Sequence, residues 1–449
     1  MSAAVRPWSG RRIHFVGVGG AGMSGYARAA HALGAQVSGS DAVGGPYLRR
    51  LAADGVLEAH IGHRASNLPQ GVGVELVYSS AIAEDNAERA AARERAIPER
   101  SRAQLLAELT GMRRTIAVAG THGKTTTASM LAHALRAAGL HPGWLVGAPI
   151  GGGLANAEWG EGEWLVVEAD ESDRSMLCLN LEVALLTNVE LDHHTEFRSL
   201  AQLREAFREF LARATRAVVL WERPELLELA PRGVELNTFD ARTPTLTREG
   251  SRFRWRGHDV SLAVPGAHNA LDAAGALEAA RLAGADERAA IAALAGFHGA
   301  GRRFQLVGES ARGARVYEDY AHHPSEIAAT LAGARTLEHR RLLAVFQPHL
   351  YSRTKLLARE FGLALAHADA VAVLDVYPAR ERAVEHPGVS GLLIAQAAAD
   401  AAQGRPVYWL PTFADAETPL STELQAGDLC VVMGAGDVDE LARRLAVCA

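Results

Sequence analysis

Apolar and polar positions along the chain fall into two alternating periods. A short apolar run, Ile13 to Val16, reads as a buried strand, and residues 24–33 carry apolar positions at helical spacing. The alternation recurs as strands near 36–38 and 74–80 and helices near 46–54 and 86–95, and the polar turn 110–115 closes the segment. Strand then helix, repeated, predicts a small parallel sheet. A second segment opens with a strand at 116–119 and a long helix at 125–139, followed by strands at 164–170 and 183–189 and a helix at 199–214. Residues 243–264 alternate around an Arg-Gly turn, which predicts a small antiparallel sheet, before helix returns at 265–284. A third segment begins near 299–304 and carries apolar strands at 315–320, 342–347, 370–376, 407–410 and 429–436, each followed by a helical stretch. The pattern is that of an α/β protein of three units.

Composition narrows the class. A length of 449 residues suits two to four domains. Hydrophobic and charged contents of 48% and 22% are those of a globular protein, and a net charge of -6 argues against nucleic acid or an anionic membrane as partner. The opening residues lack the apolar core of a signal peptide, and no stretch reaches the roughly 18 apolar residues of a membrane span; the expectation is a cytoplasmic protein without membrane insertion. Cys178, Cys430 and Cys448 are scattered and odd in number, which points to neither a disulfide framework nor a zinc site.

Two glycine loops carry the chemistry. Gly17, Gly19 and Gly22 stand at G-x-G-x-x-G spacing after the first strand, and Asp41 follows about 20 residues on, where dinucleotide folds place an acid on a ribose. Alone, this stretch predicts a nicotinamide-dependent oxidoreductase. The second loop, "GTHGKTTT" at 120–127, also follows a strand and opens a helix, but it carries a lysine. The common phosphate loop has its first glycine at the position of Val118; here it is Gly120, so the loop is two residues shorter. Backbone amides and the helix N-terminus still face phosphate, Lys124 neutralises it, and the Thr125 hydroxyl suits Mg²⁺. Of 46 basic residues only Lys124 and Lys355 are lysine. A compact ammonium enters a backbone cradle that a planar guanidinium cannot, which singles out Lys124; Lys355 is equally well a solvated surface residue.

Polar residues cluster at the ends of other strands. "VVEADESD" sets Glu168, Asp170, Glu171 and Asp173 beyond an apolar strand, a donor set suited to Mg²⁺, with helix capping as the alternative for Asp173. His193 or His194 in "NVELDHH" can reach the same site or act as a hydrogen-bonded loop residue. In the third unit "YEDYAHHP" and "FQPHLYSRT" end apolar strands, and Arg353 is able to grip a carboxylate at two points. A further glycine turn, "VVMGAGDVDEL", is explained by Asp437 as a helix N-cap and is assigned no ligand.

In order along the chain, "IHFVGVGGAGMSG", "SGSD", "SSAI", "GTHGKTTT", "EADESD", "NVELDHH", "PGAHNALDAAGA", "GAGRRF", "EDYAHHP", "FQPHLYSRT" and "DVYPARE" resemble the motifs of the Mur ligases, ATP-dependent amide-forming enzymes of peptidoglycan precursor synthesis. The resemblance covers nearly the whole chain. It implies three domains: a Rossmann-like one at 1–109 holding a UDP-sugar, a P-loop one at 110–297 holding ATP and Mg²⁺, and a Rossmann-like one at 298–449 bringing the amino acid.

Residue by residue, the resemblance implies UDP-sugar contacts at Gly19, Gly20, Ala21, Gly22 and Met23, at Ser40 and Asp41, and at Ser79 and Ser80. It implies an ATP loop of Gly120, Thr121, His122, Gly123, Lys124, Thr125 and Thr126, with Asn269, Arg303 and Asp319 near the nucleotide. Thr125, Glu168 and His193 match the metal ligands. Glu171, His323, His349 and Arg353 match the amino-acid side, and Lys124, Glu168, His193, His349 and Arg353 the catalytic set. Relatives that add later amino acids hold a second Mg²⁺ on a carbamylated central lysine. Here the only central lysine is Lys124, which together with "GVGGAGM" fits the branch whose substrates are UDP-N-acetylmuramate and L-alanine. The tripeptide-recycling branch is the runner-up. A monomer or a dimer is expected, and the base that deprotonates the amine stays open among His193, His349 and the acids of 168–173.

Overall fold

The structure is a computed structural model that describes residues 6–192 and 196–446. It divides into two compact units, one of residues 1–240 with 272–294 and the other of 241–271 with 295–449.

The first unit holds two sheets. A parallel five-stranded sheet runs in the order Glu58–Ile61, Gln36–Asp41, Arg12–Val16, Val74–Tyr78, Glu99–Ser101. Arg12–Val16 is central because four of its five residues are buried, and the strand order reverses beside it, so its carboxyl end opens a crevice for a ligand. The seven-stranded sheet runs Glu235–Phe239, Ala214–Trp221, Leu181–Leu186, Arg114–Ala119, Trp164–Glu168, Gly143–Leu145, Ala157–Glu158, with only the last pair antiparallel. Arg114–Ala119 occupies its middle and buries five of six residues. The loop that follows it is therefore flanked by the ends of Trp164–Glu168 and Leu181–Leu186.

In the second unit a six-stranded sheet runs Gln305–Glu309, Arg315–Asp319, Leu429–Met433, Leu342–Phe346, Ala370–Val373, Val407–Trp409. The expected antiparallel sheet forms from Thr245–Thr247, Gly250–Trp255 and His258–Leu262, with its turn at Arg256 and Gly257. It groups with the second compact unit.

Three elements depart from expectation. Residues 102–111 form a helix, closed at its start by a capping box of Ser101 and Gln104, where the sequence suggested only a turn after 110. Gln305–Glu309 pairs antiparallel at the sheet edge. Asp437 does not cap the last helix, Asp439–Leu445; its carboxylate accepts from Gln347 Nε2 at 2.8 Å.

One carboxylate lies wholly under the first sheet. Glu88 accepts from Ser40 Oγ at 2.5 Å, Asn67 Nδ2 at 2.6 Å and the Arg64 amide at 3.1 Å, with His14 Nε2 at 3.5 Å. Burial alone would raise its pKa; the hydrogen bonds from His14, Ser40 and Asn67 outweigh burial and pull it from 4.5 down to about 2. A depressed carboxylate contributes stability that is present above pH 4.5 and lost as pH falls toward 2. The contribution is roughly 3 kcal/mol at ~1.4 kcal/mol per unit. Glu88→Gln is expected to lower urea stability by about that amount at pH 7, with the gap to wild type closing below pH 4.5. A gap that stays constant with pH would contradict this account.

Candidate functional site

The phosphate loop is built by close backbone approach. Gly120 has φ +135°, and a Cβ there would lie 2.0 Å from Thr187 Oγ1; Gly123 has φ +81°, and a Cβ there would lie 2.5 Å from Asp272 Oδ1. Only glycine fits at either position. The end of the neighbouring strand holds the loop from below. The His122 amide donates to Asn188 Oδ1 at 2.9 Å, Thr187 Oγ1 donates to the His122 carbonyl at 2.6 Å, and the Glu190 amide donates to Thr121 Oγ1 at 2.9 Å. The His122 ring meets the Glu190 carboxylate at 2.9 Å.

Lys124 opens the Lys124–Ala137 helix and folds back into this loop. Its Nζ donates to the Gly120 carbonyl at 2.6 Å, the Thr121 carbonyl at 3.1 Å and Glu171 Oε1 at 3.0 Å. Burial lowers the ammonium pKa, but Glu171, Asp170 and Glu168 raise it further, so the charge is held. Glu171, expected with the amino-acid group, is thus a fully buried partner of the phosphate-loop lysine. Lys355 is exposed.

Thr125 Oγ1 donates to Glu168 Oε1 at 2.9 Å, and the Gly147 amide donates to Glu168 Oε2 at 2.6 Å. A hydroxyl and a carboxylate in contact beside a phosphate loop form a hard oxygen donor set that fits Mg²⁺. His193 lies outside the described residues. Thr126 is buried in the loop's helix.

The first glycine loop meets the same region. Gly20 caps the Ala21–Ala32 helix without a side-chain hydrogen bond, which leaves the first amides to a phosphate. The Gly19 amide donates to Asp41 Oδ2 at 2.8 Å, so Asp41 braces the loop itself. Of the other expected contacts, Met23 is buried in the core and the Ser40 hydroxyl is turned to Glu88, so neither side chain faces the crevice; Ser79 bonds through its amide to the Val16 carbonyl and Ser80 is exposed. Asn156 Nδ2 donates to the Ala21 carbonyl at 2.7 Å and so ties this helix to the seven-stranded sheet. A cleft of about 190 Å³ follows, with Ala21, Gly22 and Tyr26 on one side and Gly147, Glu168 and Asp170 on the other.

The second unit gathers a separate group. His349 lies against Tyr377 with ring centroids 5.8 Å apart and an interplanar angle of 13°, and His322 meets it edge-on at 6.2 Å. Arg353, buried on the first turn of the Tyr351–Leu365 helix, reaches His349 Nδ1 at 3.4 Å. His323, expected on the amino-acid side, caps the Pro324–Ala334 helix by accepting from the Ser325 amide at 3.4 Å. Asp319 accepts from the Ala321 amide at 2.6 Å and the Phe304 amide at 2.7 Å; burial pushes its pKa up to about 6 against the pull of Arg303. Arg303 lies over the Tyr320 ring, and Asn269 donates to the Pro265 carbonyl at 2.6 Å.

Comparison with known proteins decides the family. Residues 12–114 match the catalytic domain of the Mur ligase family, 118–280 the Mur ligase middle domain, and 302–436 the Mur ligase glutamate ligase domain. The UDP-N-acetylmuramate--L-alanine ligase of Acidithiobacillus ferrooxidans is 44% identical over 98% of this chain and 97% of its own length. The chain belongs to the Mur ligase family. The ligase of the same name from Syntrophomonas wolfei is 40% identical over 97% of both chains. Among solved structures, the UDP-N-acetylmuramate-alanine ligase of Thermotoga maritima has a TM-score of 0.82 at 26% identity over 97% of this chain and 98% of that one. A murein peptide ligase from Psychrobacter arcticus has 0.72 at 26% over 97% and 98%.

As a Mur ligase the protein is an ATP-dependent ligase of three-domain α/β architecture. The nicotinamide reading of its first loop is set aside. Sequence reasoning passed over Asn188, Glu190 and Asp272, which shape the phosphate loop, and Tyr377, which lies against His349. Tyr377 lies inside "DVYPARE", so the motif was visible while the contact was not.

Proposed function

We propose that this Mur ligase joins L-alanine to the lactyl carboxylate of UDP-N-acetylmuramate in the cytoplasm. The observation that carries the reading is the cleft leading from the open helix start at Ala21 to Glu168, beside Thr125 and Lys124. A UDP diphosphate on the first loop sets the sugar's carboxylate toward the γ-phosphate of ATP on the second. The full-length relatives named for L-alanine, and a TM-score of 0.82 against 0.72 for the murein peptide ligase, favour this reading over tripeptide recycling.

In the assigned reaction a lactyl carboxylate oxygen attacks the γ-phosphorus, and the bond to the β-phosphate oxygen breaks so that ADP leaves with the electron pair. Lys124 and the loop amides neutralise the phosphate oxygens. Thr125 and Glu168, with His193, are the residues that would hold Mg²⁺, whose charge would assist the same neutralisation. The amine of L-alanine, its carboxylate gripped by Arg353 and its ammonium proton taken by a base among His193, His349 and the acids of 168–173, then attacks the acyl carbon, and the carbon–oxygen bond to phosphate breaks so that phosphate leaves with the electron pair. The domain limits assigned to these roles are 1–109, 110–297 and 298–449.

Hydroxylamine trapping tests the reading directly: ATP and UDP-N-acetylmuramate without any amino acid are expected to yield a hydroxamate, and its absence under conditions that support ligation would contradict an acyl phosphate. Asp41→Ala, by freeing the Gly19 amide, is expected to weaken UDP-N-acetylmuramate binding about tenfold, the value of one charge-assisted hydrogen bond, and to leave ATP affinity unchanged. Calorimetric titration with each ligand separates the two, and an equal loss of both affinities would refute the separation of roles.

A further inference from the structure

One cation lines the cleft of the first unit. Arg102 begins the Arg102–Gly111 helix, and among the described residues lining the cleft it is the only basic one, beside Tyr26 and Asp170, with Glu168 also in the lining. Its side chain is 18% exposed, so it is screened less than a surface arginine. Its contacts are loose: Nη2 donates to Ser175 Oγ at 3.3 Å and lies 3.7 Å from Asp170, while Nε lies 3.3 Å from Asp173. Good charge-assisted bonds run ~2.7–2.9 Å. Nε is buried and makes no hydrogen bond. The planar fork thus meets Ser175, Asp173 and Asp170 only at 3.3–3.7 Å, with the Tyr26 hydroxyl also beside it.

The proposed reaction creates a need for such a group. The sugar's carboxylate is an anion that enters a cleft walled by two carboxylates, and like charges at close range in a partly desolvated site oppose its approach. We propose that Arg102 receives the lactyl carboxylate of the UDP-sugar and holds it beside the phosphate loop. This rests on the substrate reading above. Arg102 binds one carboxylate oxygen and leaves the other to attack, so it orients the nucleophile and transfers no proton. The same guanidinium distinguishes a sugar nucleotide with a carboxylate from one without.

Two ligands and two variants test this by calorimetric titration. UDP-N-acetylmuramate and UDP-N-acetylglucosamine differ by the lactyl group alone. Arg102→Met is expected to weaken the first on the order of 10- to 100-fold, the range for a lost charge-assisted pair, and the second less than about threefold. Arg102→Lys, which keeps the charge and loses the fork, is expected to show the same selectivity at smaller size. Retained UDP-N-acetylglucosamine binding reports an intact fold. An equal loss for both ligands, as a purely structural role would give, overturns the proposal, and so does no loss for either. Wild-type protein that binds neither sugar nucleotide would instead contradict the substrate reading.

Discussion

Lys124→Arg is expected to reduce ligation at least about a thousandfold, the scale for removing a group that stabilises transferring phosphoryl charge, while UDP-N-acetylmuramate still binds. The substitution keeps the charge, so the effect is one of shape. Nζ sits within 3.1 Å of two loop carbonyls and Glu171 at once, in a loop whose glycines already lie against Thr187 and Asp272. A guanidinium is wider and planar and displaces the loop that it should complete. Single-turnover phosphate release measures the chemical step, and titration with the UDP-sugar shows that the first loop is intact. A variant within tenfold of wild type would contradict the cradle described here.

The second large effect separates the two half-reactions. Arg353→Ala is expected to lower kcat/KM for L-alanine about 30-fold or more, since truncating one member of a buried charge pair costs roughly 2–5 kcal/mol. The hydroxamate trapped from ATP and UDP-N-acetylmuramate alone is expected to persist, because that step is assigned here to Lys124, Thr125 and Glu168. Arg353 is 3% exposed and touches His349, both in the second unit, whereas the two phosphate loops described above belong to the first. Loss of hydroxamate formation with an unchanged KM for L-alanine would show that Arg353 serves ATP or the sugar instead.

Much of this was legible in the sequence because it is local. Glycines at fixed spacing after an apolar strand mark a backbone that must turn tightly, and one lysine in an arginine-rich chain marks a place where shape matters. Glu168 was readable as an acid at a strand end. What the sequence concealed depends on tertiary pairing: Glu171 meets Lys124 across 47 positions, and Glu88 gathers Ser40 from a strand and Asn67 from a short 3-10 turn. Arg102 was hidden for another reason. Its helix announces itself through Ser101, Gln104 and the buried Leu105, Leu106 and Leu109, yet the polar run after Thr110 drew the boundary there. The strands Glu99–Ser101 and Gln305–Glu309 are short, the first wholly polar and the second carrying polar ends, and both lie at sheet edges, where pairing partners rather than hydrophobic period decide the structure.

The central claim is that phosphoryl activation of a UDP-bound sugar acid is coupled to L-alanine. The measurement that tests it is steady-state phosphate release from ATP in the presence of UDP-N-acetylmuramate, with L-alanine, glycine, L-serine or the L-alanyl-γ-D-glutamyl-meso-diaminopimelate tripeptide as the amine. The account predicts turnover that requires the UDP-sugar and has its highest kcat/KM with L-alanine; a higher kcat/KM with the tripeptide, or phosphate release indifferent to the UDP-sugar, would contradict it.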